Sequence, residues 1–218
     1  VSAALRMLLR KPAAGGMADR LVRVKNYAAP ANASSATVTF DEGTALDSTH
    51  LLVAIVHYSS AGRTLTASGW TNGPTGSGNG FSGAVFARQG DGSANSITVT
   101  TTIATQRFYV TLLAFSGYSS TTVLDGTSGL FTSVSSGTLS PASTPAGYGV
   151  CVAGVALSNA SIGPAFGGYT INGTAYNNGN VRAGSGRKEY TGPGTYNASP
   201  SWGSTTSGLW LHAIYPLV

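Results

Sequence analysis

The segment HLLVAIVHY, His50 to Tyr58, is apolar without a break from Leu51 to Val56. A run this short and this continuous fits a central strand covered on both faces, or a core strand of a β-sandwich. It opens a longer phrase, HLLVAIVHYSSAGRTLTASGWTNG. The chain writes a similar one 99 positions later, GVCVAGVALSNASIGPAFGGYTING from Gly149. Each has a Val-Ala-x-Val core, a polar Ser/Ala/Gly stretch, and then Gly-Trp-Thr-Asn-Gly or Gly-Tyr-Thr-Ile-Asn-Gly. A second pair follows, ITVTTTIATQRFYVTLLAF (97–115) and PSWGSTTSGLWLHAIY (200–215). Both read as a short strand, a polar turn and an apolar strand with aromatics. A period near 100 residues exceeds any solenoid unit. It implies two similar halves, about 50–117 and 148–217, each giving strands to a sandwich. Trp70 and Tyr169 are expected at equivalent corners, capping the edge of the core.

The rest of the chain agrees with a period of two. LVRVKNY (21–27), SATVTF (35–40), FSGAVFARQ (81–89) and NSITVTTTI (95–103) read as strands. Short β pieces are expected near 121–125, 130–134 and 136–140, and longer ones at 147–158, 165–171, 180–190 and 207–215. Asp91-Gly92 reads as a turn. Charged residues make up only 9%, and there are 30 glycines. A helical protein solvates its outer faces with Glu, Lys and Arg, whereas a sheet can use Ser, Thr and Asn. Glycines serve tight turns and bulges. The expected fold is therefore all-β, an antiparallel sandwich over 21–218 preceded by an arm at 1–20.

The net charge of +5 is placed unevenly. Six basic residues lie in the first 25 positions, Arg6, Arg10, Lys11, Arg20, Arg23 and Lys25, against Asp19 alone; the remainder balances at six and six. A basic terminus or subunit-docking arm is the better reading than a nucleic-acid face. SAALRMLLRK can form a short amphipathic helix, stopped by Pro12 and Gly15-Gly16. Such a helix is marginal alone in water. It is expected to dock on a neighbour through Leu5, Met7, Leu8 and Leu9, with Arg6, Arg10 and Lys11 supplying charge. The single cysteine, Cys151, permits no intrachain disulfide and reads as a buried thiol. No apolar run approaches the ~20 residues of a transmembrane helix, and the N-terminus is a poor signal peptide.

No constellation for catalysis stands out. Gly-x-Ser-x-Gly is absent from the sequence. His50, His57 and His212 lack metal-ligand spacing. Asp41 and Glu42 are adjacent, which suits a turn better than an acid–nucleophile pair across a cleft. FDEGTALD (40–47) lacks the spacing of a calcium loop. GSGNG (76–80) precedes a strand rather than a helix, so it reads as a flexible hairpin loop rather than a phosphate cradle. No catalytic, metal-binding or cofactor-binding residue is expected. Tyr176, Arg182, Tyr190, Tyr196 and Trp202 lie in a polar, loop-rich stretch of the second half. They suit glycan contact, protein contact or plain packing at the core edge.

Leu51–Ala54, Gly69–Thr71, Ala84–Arg88, Thr98–Thr100, Ala114–Gly117 and Asp125 together resemble domains of minor tail proteins from tailed phages that infect actinobacteria. The resemblance covers about 35–130. It is weaker in the second half, where Tyr169 replaces Trp, and it leaves out the arm. It implies a jelly-roll or lectin-like sandwich and a structural role in the virion, with no enzymatic activity. The expected partners are other virion proteins and further copies of the chain, a trimer being favoured, with no direct nucleic-acid or membrane contact. The alternatives are a capsid decoration protein and a carbohydrate-binding module for host envelope glycans.

Overall fold

The computed structural model describes residues 20–217 apart from 31, 42, 44, 93–95, 105, 119, 124, 140–146, 159–164, 173–175 and 179–180, and of 176–178 the backbone alone. Residues 5–11 of the expected arm lie outside the described residues. The described chain is all-β, in three antiparallel sheets. Sheet A has the order β1 (Leu21–Ala28), β8 (Phe108–Ser116), β3 (His50–Tyr58), β6 (Phe81–Gln89), β5 (Thr71–Gly78). Sheet B has the order β2 (Ser35–Thr39), β7 (Ser96–Thr101), β4 (Leu65–Thr66). Sheet C runs β11 (Ala165–Gly167), β15 (Ser199–Pro216), β10 (Gly149–Ser158), β14 (Val181–Tyr190), β12 (Thr170–Ile171). β9 (Asp125–Ser136) pairs with β15, and β13 (Tyr176–Asn178) with β14.

Strand β3 explains its own composition. Leu52, Ala54 and Val56 point to sheet B and join one core with Val38, Leu65, Ile97 and Val99. Leu51, Val53 and Ile55 point the other way, into a core shared with Val150, Val152, Leu211, Ala213 and Tyr215 of sheet C. Successive side chains alternate between faces, so a strand buried on both must be apolar throughout. β10 repeats the arrangement. Its Val150 and Val152 face sheet A, while Cys151, Ala153, Val155 and Leu157 face a third core with Phe166, Tyr169, Ala198 and Trp202. The first half is a sandwich of sheets A and B; in the second half the single sheet C curls over a core of its own, forming the second sandwich, and sheets A and C stack face to face.

The pairing registers superimpose the halves. Leu51 pairs with Gln89 and Phe115; Val150 pairs with Glu189 and Tyr215. Gly69 and Gly168 hold matching positive φ angles of 76° and 77°. That conformation is open to glycine and costly for most other residues. The following amides close the same turn, Trp70 N to Ala67 O at 3.2 Å and Tyr169 N to Phe166 O at 3.3 Å. The recurring phrase is therefore a recurring strand and turn. The repeat also begins further upstream than the sequence suggests. β1 pairs with β8 as β9 pairs with β15, which extends the halves to about 21–117 and 125–217.

The strand expected at 165–171 is two short ones, β11 and β12, parted by the turn at Gly168, and three further elements differ from expectation. The short pieces near 121–140 are one twelve-residue strand, β9, followed by a bridge between Leu139 and Ala198. The stretch expected at 207–215 belongs to an eighteen-residue strand that begins at Ser199, serving β11 at one end and β10 at the other. GSGNG is not a loose loop: its first three residues end β5, and Asn79-Gly80 makes a two-residue turn into β6 with φ of 50° and 84°. Asn-Gly is the dipeptide such a turn favours. The glycines admit the neighbouring sandwich. A Cβ on Gly76 would stand 2.9 Å from Leu209 Cδ1, and one on Gly83 would stand 2.8 Å from Leu209 Cδ2.

Candidate functional site

An open groove of about 570 Å³ lies beside Trp70 in the first sandwich. Sheet B has three strands over the five of sheet A, so the two sheets do not cover each other fully. β4 and β7 bring Thr66, Ser96, Thr98 and Thr100 to the groove, the Gly69 turn brings Ser68 and Trp70, and β5 and β6 bring Asn72 and Arg88. Thr98 and Thr100 are exposed because their neighbours Ile97 and Val99 take the inward positions of β7. Their hydroxyls are arrayed across the sheet, Thr66 Oγ1 to Thr100 Oγ1 at 2.8 Å and Thr37 Oγ1 to Thr98 Oγ1 at 2.9 Å. Asn72 stands opposite Phe86, and Arg88 opposite Leu52, in register. The Arg88 guanidinium donates to the Asp91 carboxylate, which offsets its charge. Trp70 is only partly buried: it packs on the first core and keeps part of its indole on the groove.

The equivalent place in the second sandwich is filled. Tyr169 replaces Trp70 and is 8% exposed. Its hydroxyl donates to Tyr196 O at 2.9 Å. Tyr196 packs on Tyr190 with ring centroids 5.1 Å apart, and Lys188, the counterpart of Arg88, lies over its ring at 5.6 Å. Ile171 stands where the first half has Asn72, and Phe166 where it has Ala67.

The aromatic set singled out in the sequence does not form one exposed face. Trp202 is 2% exposed, packs at a tilt against Phe131 with ring centroids 4.9 Å apart, and donates its indole N–H to Val134 O at 2.9 Å. Tyr190 is buried, which pushes its phenol up to about 12. Tyr196 is partly buried and donates to Gly192 O at 2.8 Å. Arg182 is partly exposed on β14 opposite Leu157, and the side chain of Tyr176 is outside the described atoms. These residues mostly build the third core. The groove residues were missed because Arg88 meets Trp70 only through the β5–β6 pairing, which the glycines of β5 hide. The Gly-Trp-Thr-Asn turn and the outward threonines of NSITVTTTI are the signals that carry it.

Apart from Asp47, the titratable groups whose equilibria are shifted are buried. Cys151 is buried, and burial pushes its thiol up to about 12, far from a nucleophile's range. His212 Nε2 stands 2.7 Å from the Tyr169 hydroxyl, and its remaining nitrogen is buried. His57 lines a cavity of about 20 Å³ between the sandwiches with Asn26, Tyr109 and Thr111. Asp47 is held down to about 2 mainly by hydrogen bonds from Thr49, at 2.6 Å from its hydroxyl and 2.9 Å from its amide, with His50 Nδ1 at 2.9 Å. Among the described residues no three His, Cys, Asp or Glu side chains gather as a metal site. Comparison with family models, characterised proteins and solved structures finds no match for this chain.

Proposed function

We propose that the protein is a structural component of a tailed-phage virion, a minor tail or tail-tip protein that assembles with other virion proteins and with copies of itself, a trimer being favoured. The observation that carries this reading is where the resembling residues fall. Leu51–Ala54, Ala84–Arg88 and Ala114–Gly117 belong to the paired strands β3, β6 and β8 and the end of β8, Gly69–Thr71 forms the corner turn, and Thr98–Thr100 lies in β7. They make a packing unit, and the chain uses that unit twice. The order β1-β8-β3-β6 facing β2-β7-β4 supports a jelly-roll character for the first sandwich. The basic segment 1–20 is the proposed docking arm. Immunogold labelling of intact particles with an antibody to the purified protein tests the reading. Label along the tail or at its tip is expected. Label on the head would replace it with the capsid decoration reading, and absence of the protein from purified particles would end both.

A further inference from the structure

The groove beside Trp70 has the chemistry of a sugar site, and we propose that it binds a neutral polysaccharide chain. An indole face offers a stacking platform to the apolar face of a pyranose ring. Around it stand groups that exchange hydrogen bonds with hydroxyls in both directions: the Asn72 amide, the Arg88 guanidinium, and the hydroxyls of Thr66, Thr98 and Thr100. The one cation among the lining residues is already engaged by Asp91, so the lining does not select for an anionic ligand. The groove is open and its volume of about 570 Å³ suits a few sugar units of a longer chain rather than an enclosed small molecule.

The second sandwich supplies the comparison within one molecule. Its scaffold has the same registers and the same turn, so the scaffold does not require a groove. There the Tyr169 phenol is bonded to the backbone carbonyl of Tyr196, the Tyr196 ring packs on Tyr190, and an exposed Ile171 takes the place of Asn72. Packing needs at this corner are met by a buried aromatic. In the first sandwich the same corner keeps a partly exposed Trp with an amide, a guanidinium and a hydroxyl ladder around it. Ligand contact accounts for that difference, and this site lies in the opposite half from the aromatics that the sequence brings forward.

The test is isothermal titration of the full chain with linear hexasaccharides of glucose, galactose, mannose and N-acetylglucosamine, with polygalacturonate as an acidic control. At least one neutral hexasaccharide is expected to bind and to perturb the fluorescence of Trp70. Trp70→Phe shrinks the stacking face, and Thr98→Tyr projects a ring into the groove from an exposed strand position that leaves the cores untouched. Each is expected to weaken binding by roughly ten-fold or more, with an unchanged melting temperature for Thr98→Tyr. Tyr196→Phe in the closed corner should leave binding as it was. Failure of all four neutral probes, binding confined to polygalacturonate, or binding indifferent to Thr98→Tyr would each overturn the proposal. None of these outcomes bears on where the protein sits in a particle.

Discussion

His57 and His212 are 2% and 1% exposed, and burial lowers their imidazoles to about 3 and about 4 from an ordinary 6.5. Both are therefore neutral in the folded protein and take up protons on unfolding below pH 6.5. The unfolded state then binds more protons than the folded one, so stability is full above that pH and falls as pH drops toward the folded values. Each histidine can contribute up to about 1.4 kcal/mol per pH unit across its interval. Denaturant melts between pH 7 and pH 4.5 should show this loss, and His57→Asn, which cannot titrate, should flatten the slope. An unchanged slope would mean that His57 is solvated. At His212 one donor order satisfies both neighbours: Nε2–H donates to the Tyr169 hydroxyl, which donates to Tyr196 O. Nδ1 then carries only a lone pair, less costly to bury than a bare N–H. Position in the sequence foretold the burial of Cys151, because it sits inside an apolar run. It could not foretell the burial of Trp202 and Tyr190, which stand in polar stretches and are covered by residues distant in the chain.

β10 lies close against β3 of the other sandwich, and Gly154 is what permits it. A Cβ there would stand 2.3 Å from Ile55 Cγ2 and 2.9 Å from His57 Cε1. Both obstacles are packed side chains of the facing sheet, which have little room to withdraw. Gly154→Ala should therefore cost about 1–3 kcal/mol, read as a fall in melting temperature of roughly 2–4 °C per kcal/mol. Gly147→Ala, with no described residue within 4 Å of the new methyl, should shift it little. Equal effects would mean that the sheets part easily. Among the strands legible in the sequence, β2 and β7 alternate cleanly, and β3, β8 and β10 are apolar almost throughout. β5 was lost because TNGPTGSG has almost no apolar side chains; its register is held by the Asn79-Gly80 turn and by Leu209 and Leu130 of the facing half. β9 looked like fragments for a related reason: from Leu130 to Ser136 it is largely exposed, so neither face imposes a pattern.

At the scale of the whole molecule, the second core joins residues of both halves and is continued by polar links across the seam. Asn26 Nδ2 donates to Asn172 O at 2.7 Å, and Ser128 Oγ to Thr75 O at 2.7 Å. Neither sandwich can leave the other without exposing Leu51, Val53 and Leu113 or Val150, Val152 and Leu211. The two should unfold together, as a single calorimetric transition whose van't Hoff and calorimetric enthalpies agree. A fragment of residues 20–123 should aggregate or bind a hydrophobic dye. Two separate transitions would show instead that each sandwich stands alone. The all-β class, the doubling of the unit, the turn at each Gly-aromatic corner and the double burial of β3 were determined by the sequence itself. Each rests on local periodicity, on backbone geometry at glycine, or on a repeated phrase. The stacking of the halves, the fate of each aromatic and the groove beside Trp70 were decided only in the tertiary structure. They depend on which faces meet and on the joining of strands far apart in the chain, and no local pattern encodes which of two equivalent corners is filled and which stays open.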